Sequence, residues 1–176
     1  MLIKTVFSGF GGQGVLSMGL NLTHAAMLEG RYVTYLPAYG AEVRGGTANC
    51  TVSISDEEIA SPVAYAPAFV VALNEPSMVR FQNKIQSGGV MFLNSDLIKE
   101  QPDRGDIEVV NIPANTIAEK MGNVKSANMV LLGAFVKKSN LVSLSSLIES
   151  LTVVLKGNQK LISFNKDALT VGYEFI

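Results

Sequence analysis

Val6-Phe7-Ser8-Gly9-Phe10-Gly11-Gly12-Gln13-Gly14-Val15 is the stretch whose reading decides the fold. An apolar run from Leu2 to Phe7 meets four glycines within positions 9–14, and helix-compatible residues follow from Val15. Strand, glycine turn and helix in that order form the context in which such a loop carries meaning. Gly9, Gly11 and Gly14 satisfy the G-x-G-x-x-G spacing. Glycine there permits positive φ, lets backbone approach a ligand, and lets helix and strand pack closely. The helix start adds unpaired N–H groups and the positive end of its dipole, which suit an anion. A tight strand-to-helix turn that binds nothing would use the same residues, so the loop alone leaves both readings open.

Working outward, Val15, Met18, Leu22, Ala25 and Ala26 recur at helical spacing, and Gly30 closes that helix. Tyr32 to Leu36 reads as a second strand, completing a βαβ unit of about 30 residues. The loop Pro37-Ala38-Tyr39-Gly40-Ala41-Glu42-Val43-Arg44-Gly45-Gly46 then mixes a phenol, a carboxylate and a guanidinium with glycines, more chemistry than a connector needs. Ala48, Cys50, Val52 and Ile54 alternate with Asn49, Thr51, Ser53 and Ser55, which predicts a half-exposed strand in an antiparallel or edge position. Phe69 to Leu73 is a buried strand, followed by a helix from near Pro76 with Met78, Phe81 and Ile85 on its apolar face. Val90 to Leu93 and Ile107 to Ile112 are further strands, and Asn115 is expected to cap a short helix to Met121, which Gly122 closes. Ser126 to Val136 is apolar, with Gly133-Ala134 small enough for close packing. A helix begins at Ser143 or Ser145 and runs through Leu155, and another lies around Asn165 to Val171. The pattern predicts one α/β domain over residues 1–176. Its architecture is a three-layer α/β/α sandwich with a Rossmann-like, mostly parallel sheet and one antiparallel strand near Thr47 to Ser55. In such sheets ligands and partners meet the carboxyl ends of the strands, where both loops should lie.

Composition narrows the function. Of 176 residues, 48% are hydrophobic and only 16% charged, against roughly 25% charged in a typical domain, which hints at surface covered by a partner. The net charge is −1 with scattered basic residues, so nucleic-acid binding is not expected. Cys50 stands alone, which excludes an internal disulfide, a four-cysteine zinc site and an iron–sulfur cluster held by this chain. The sequence enters its first strand without a signal-type leader, and it has no run of the ~20 apolar residues a membrane span requires. A cytoplasmic location is the resulting expectation.

A dinucleotide site would need a carboxylate at the end of the second strand, about 20 residues past the glycines. Leu36-Pro37-Ala38 supplies none, and no G-K-[ST] makes the loop a Walker motif. The sole histidine, His24, lies within the first helix, and Cys50 falls on the apolar face of its strand. Neither a Ser–His–Asp set nor a metal cluster can be assembled, so no catalytic residue is assigned. Tyr39, Glu42 and Arg44 remain. Arg44 between glycines can offer its planar fork to a carboxylate or phosphate, or it can pair with Glu42 and brace the loop.

Gly9-Phe10-Gly11-Gly12-Gln13-Gly14-Val15, then Tyr39-Gly40-Ala41-Glu42-Val43-Arg44-Gly45-Gly46, then Ile59-Ala60-Ser61-Pro62, resemble the gamma subunit of 2-oxoacid:ferredoxin (or flavodoxin) oxidoreductases. The resemblance continues through Asn128-Met129-Val130-Leu131-Leu132-Gly133-Ala134 to Asn165, Ala168 and Gly172, and so covers essentially the whole chain. It implies a subunit that is not catalytic alone. Alpha and beta chains would bind thiamine diphosphate and decarboxylate the 2-oxoacid. The acyl group would pass to coenzyme A, and electrons would leave through iron–sulfur clusters, with a ferredoxin-like delta chain as a further partner. The cofactor-contacting candidates are then Gly9, Gly11, Gly12, Gln13, Gly14, Tyr39, Glu42, Arg44, Gly45 and Gly46. A stand-alone NAD- or FAD-binding protein and a pure assembly scaffold are the competing readings, and self-association of the isolated chain is left open.

Overall fold

Whether an apolar strand lies inside a sheet or at its edge is decided by which strands it meets, and here the meeting order is not the chain order. The computed structural model describes residues 1–40 and 46–176. The elements are β1 (Ile3–Phe10), α1 (Val15–Leu28), β2 (Tyr32–Tyr39), β3 (Thr47–Ser55), β4 (Phe69–Ala72), α2 (Glu75–Gln82), β5 (Val90–Asn94), β6 (Glu108–Ile112), α3 (Ala114–Lys120), a 3₁₀ turn (Val124–Ser126), α4 (Ala127–Ser139), α5 (Leu144–Val154) and α6 (Gln159–Phe175). They build a six-stranded sheet in the order β2-β3-β1-β4-β5-β6. β1, β4, β5 and β6 are mutually parallel, while β3 is antiparallel to both β1 and β2.

The mixed α/β sandwich therefore forms as its sequence pattern predicts, with four revisions. β3 is antiparallel as expected but lies inside the sheet. β2 takes the edge, because a short connection returns β3 into the gap beside β1. The first strand–helix–strand unit is consequently split: β2 runs the same way as β1 but two places away. Ser53 and Ser55, expected on an exposed face, are buried. Asn115 does not cap α3. It lies inside the helix, and its Oδ1 accepts a 2.8 Å bond from Asn94 Nδ2. Asp96 does the capping instead, its carboxylate accepting from Thr116 N–H at 2.7 Å and from Thr116 Oγ1 at 2.9 Å. The last helix is longer than its periodicity suggested, beginning at Gln159 under an Asn158 cap.

The helices are unequally shared between the two faces. One face of the parallel strands meets α2 alone, through a cluster of Val6, Val70, Ala72, Met78, Phe81, Ile85, Met91, Leu93 and Ile98. The other carries α1 and α4, with α5 packed outside α1 and α6 outside α4. Phe135 of α4 sits at its centre, with ring centroids 5.5 Å from Phe7, 5.6 Å from Phe69 and 5.3 Å from Phe92, all in the edge-to-face geometry that aromatic quadrupoles favour. Gly133 of α4 and Gly172 of α6 let those helices touch backbone to backbone. A Cβ at Gly133 would fall on the Leu169 carbonyl, and one at Gly172 on the Val130 carbonyl.

Since α1 leaves β1 toward one face and α2 leaves β4 toward the other, the connections reverse between β1 and β4. Such a reversal opens a crevice at the carboxyl ends of the strands.

Candidate functional site

The first glycine loop and the second loop meet at one end of the sheet. β1 and β2 both finish there and β3 begins there, with Phe10 opposite Thr47 and Tyr39 opposite Ala48. Two backbone bonds tie the ends together: Gly11 N–H donates to Gly46 O at 2.9 Å, and Gly40 N–H to Thr47 O at 2.7 Å. Between them lies a cavity of about 370 Å³, walled by Gly11, Gly12 and Gly14 on one side and by Tyr39, Gly40 and Gly46 on the other. The start of α1, Val15 to Ser17, forms its floor. The fold thus gathers five of the candidate residues named from sequence, Gly11, Gly12, Gly14, Tyr39 and Gly46, around one space. Glu42, Arg44 and Gly45 lie outside the described residues.

Within the first loop the glycines serve different ends. Gly9 belongs to β1, and a Cβ there would come within 2.7 Å of Gln13 Oε1 and 2.8 Å of Val15 Cγ2, so its role is to let strand and helix close up. Gly14 is the α1 N-cap with φ +77°, and a side chain there would collide with Asn128 of α4. Asn128 Nδ2 donates to Gly14 O at 3.3 Å, an interhelical tie between residues far apart in sequence. Gly12, by contrast, has φ +95° and no atom within 4 Å of where a Cβ would stand. Gly11 and Gly12 are exposed, so their backbone is what an incoming group would touch.

Gln13 has its oxygen committed internally. Oε1 accepts from Phe10 N–H at 2.7 Å and from Asn74 Nδ2 at 3.0 Å, while Asn74 Oδ1 caps α2 by accepting from Ser77 N–H at 3.0 Å. The carboxamide is a clamp joining the loop after β1 to the loop after β4. Sequence reasoning identified Gln13 and the Asn74-Glu75-Pro76 helix start but had no means of joining them. Tyr39 is 72% exposed at the rim.

The remaining reactive groups are quiet. Cys50 is fully buried against α1, with Sγ 3.6 Å from Val15 O, and burial pushes its thiol up to about 12. Neutral at physiological pH, it is a small packing residue and not a nucleophile. Burial also raises the Tyr35 phenol, whose OH donates to Leu16 O at 3.4 Å. His24 is half-buried on α1 and does not line the cavity. Among the described residues no three His, Cys, Asp or Glu side chains converge to hold a metal ion.

This edge defines a Rossmann-like α/β domain that offers backbone and a rim phenol to an incoming group. The chain belongs to the pyruvate ferredoxin/flavodoxin oxidoreductase family, whose model matches residues 4–175. It is 39% identical over 175 residues to a ketoisovalerate oxidoreductase subunit VorA of Methanothermobacter thermautotrophicus, which covers 98% of this chain but only 36% of the relative. The chain thus spans about a third of the length of that relative. Among solved structures, the gamma subunit of a keto/oxoacid ferredoxin oxidoreductase from Geobacter sulfurreducens superposes with a TM-score of 0.84 at 27% identity, covering 98% of this chain and 96% of that one. A 2-oxoglutarate:ferredoxin oxidoreductase from Magnetococcus marinus, solved with 2-oxoglutarate, coenzyme A and succinyl-CoA bound, superposes with a TM-score of 0.88 at 25% identity, covering 99% of this chain and 31% of that one. No helix among the described residues is long and apolar enough to cross a membrane.

Proposed function

We propose that this chain works as the gamma subunit of a thiamine-diphosphate-dependent 2-oxoacid:ferredoxin oxidoreductase, and that its two-loop edge packs against the alpha and beta chains beside the path of coenzyme A. The observation carrying this reading is the cavity where the Gly11–Gly12 backbone faces Tyr39 and Gly46. It is an entrance for a group needing close backbone approach, with no catalytic set beside it among the described residues. A dinucleotide reading fares worse. The ribose-binding acid belongs at the end of a strand adjacent to β1, and β3 occupies that place. A carboxylate at the end of β2 would be two strand spacings away, about 10 Å.

Thiamine diphosphate, when bound by the partner chains, supplies the carbanion chemistry of decarboxylation. This chain's part is to position: the exposed Gly11 and Gly12 approach the coenzyme, and Gln13 holds their loop against the end of β4. Arg44, steadied by Glu42, binds a coenzyme A phosphate or a partner carboxylate. A charge-assisted bond of that kind contributes about 1.5–3 kcal/mol. The 2-oxoacid is chosen elsewhere in the complex, in keeping with relatives named for ketoisovalerate and for 2-oxoglutarate.

The test is Arg44→Ala in the reconstituted complex. A raised KM for coenzyme A with normal assembly supports the proposal, whereas failed assembly alone turns the edge into a scaffold. Unchanged assembly together with unchanged coenzyme A kinetics refutes it. Micromolar binding of NAD(H) or flavin to the isolated chain would favour a stand-alone nucleotide protein instead.

A further inference from the structure

α6 is apolar on two sides. Its inner side is committed: Ala168 and Leu169 belong to the buried core, and Gly172 abuts the Val130 carbonyl of α4. A second row runs along the outward flank, where Leu161 is 45%, Phe164 37%, Val171 37% and Phe175 48% exposed. With Ala168 in its middle the row recurs at steps of three, four, three and four residues, the spacing by which one helix seats another. Exposed apolar side chains scattered singly need no explanation, but four aligned on one helix form a strip of the kind that marks an interaction surface.

The charges beside the strip select what covers it. Lys160, Asp167 and Glu174 border it at intervals of seven residues, all exposed and none in an ion pair among the described residues. A parallel copy of the helix would set Lys160 beside Asn165 and Asp167 beside Gly172, with no charge to meet either. An antiparallel copy sets Lys160 of each helix beside Glu174 of the other. The two-fold axis of that arrangement passes between Asp167 and Ala168. It also places Leu161 opposite the second copy's Phe175, and Phe164 opposite the second copy's Val171. One register thus satisfies the apolar row and the outer charges together, leaving Asp167 beside its own counterpart as the single mismatch. Such self-complementarity about a midpoint is what an isologous interface requires, whereas an unrelated partner has no need of it.

We propose that the outer face of α6 is a two-fold interface with a second copy of this chain, the two helices packed antiparallel. A helix of 17 residues spans about 25 Å, so the contact is short and belongs at the weak end of specific interfaces. No residue of α6 lines the cavity between the two loops. The interface therefore leaves that edge open and stands or falls apart from the two-loop reading.

Sedimentation equilibrium of the full chain over about 1–500 µM should show monomer passing reversibly to dimer and no further. Val171→Glu should abolish the dimer with the circular dichroism of the monomer unchanged. Lys160→Glu and Glu174→Lys should each weaken the dimer about tenfold, since each turns two attractive contacts repulsive. The double variant Lys160→Glu/Glu174→Lys should restore it, a rescue that a merely misfolded variant would not show. Asp167→Asn should tighten the dimer a few-fold by removing the central repulsion. A chain that stays monomeric at the highest concentration overturns the interface. So does a dimer indifferent to Val171→Glu, or a pair of single reversals that the double variant fails to restore. A monomer whose Val171→Glu variant no longer joins the alpha and beta chains also overturns it, and gives the strip to those chains instead.

Discussion

β4 and β5, in the parallel half of the sheet, are covered on both faces, and Val70, Val71, Ala72, Met91, Phe92 and Leu93 are all fully buried. β2, at the end of the antiparallel half, is covered by α1 on one face only, and Tyr32 is 50% and Leu36 38% exposed. The contrast follows from the connections. Parallel neighbours need long crossovers, which carry helices onto the faces, whereas only residues 40–46 separate β2 from β3, too few for such a crossover. The half built by crossovers is apolar along β4 and along β5 as far as Asn94. The other half keeps Thr34 and Ser53, whose hydroxyls are buried without partners among the described residues, as is that of Thr5 on β1. The cavity between the first two loops borders the antiparallel half, with Gly12 on its wall.

Three substitutions probe this difference. Phe135→Ala removes the ring that three strands of the parallel half share, and should cost about 3–5 kcal/mol in denaturant unfolding, as large aromatic deletions do. A loss below about 1 kcal/mol would mean that the parallel half does not carry the core. Gln13→Ala releases the clamp between the loops after β1 and β4 and leaves Phe10 N–H and Asn74 Nδ2 without their acceptor. About 1–3 kcal/mol is expected, with faster amide exchange at Phe10. Normal protection of that amide would show that the loop holds itself in place. Ser53→Ala, in the antiparallel half, deletes a hydroxyl that makes no bond among the described residues, so stability should stay within about 0.5 kcal/mol of the parent or rise slightly. A clear loss would reveal a partner for Ser53 and bring the two halves closer in kind.

Much of this was legible in the chain because it rests on local rules. β1, the glycine turn and α1 lie within two residues of their predicted places, since φ preferences and apolar spacing act over a few residues. The Phe69 strand, the Pro76 helix start and the helix from Ser143 follow for the same reason. The internal position of β3 was not legible. Its alternation of Ala48, Cys50, Val52 and Ile54 with polar residues reports one apolar face, and an inner antiparallel strand with small polar residues on its second face shows the same pattern. Asn115 looked like a cap because asparagine commonly caps helices, yet a tertiary partner, Asn94, engaged it while Asp96 took the cap. Of the candidate site, the sequence pointed to both loops and to the residues around the cavity. It gave no hint that Gln13 and Asn74 would meet, which depends on β1 and β4 lying side by side.

By itself, then, the sequence determined the α/β class, the strand–glycine–helix start, the inert character of Cys50 and a family likeness carried by two loops and the α4 segment. These depend on backbone freedom, side-chain volume and periodicity, which are properties of neighbouring residues. The tertiary structure alone decided which strand is the edge, that Gly11 donates to Gly46, that Gln13 is a clamp, and that Asn128 closes over Gly14. Each of those is a contact between segments whose separation along the chain says nothing of their distance in space. It forms only because the apolar faces of strands and helices must be buried together, and that requirement sets the order of the sheet.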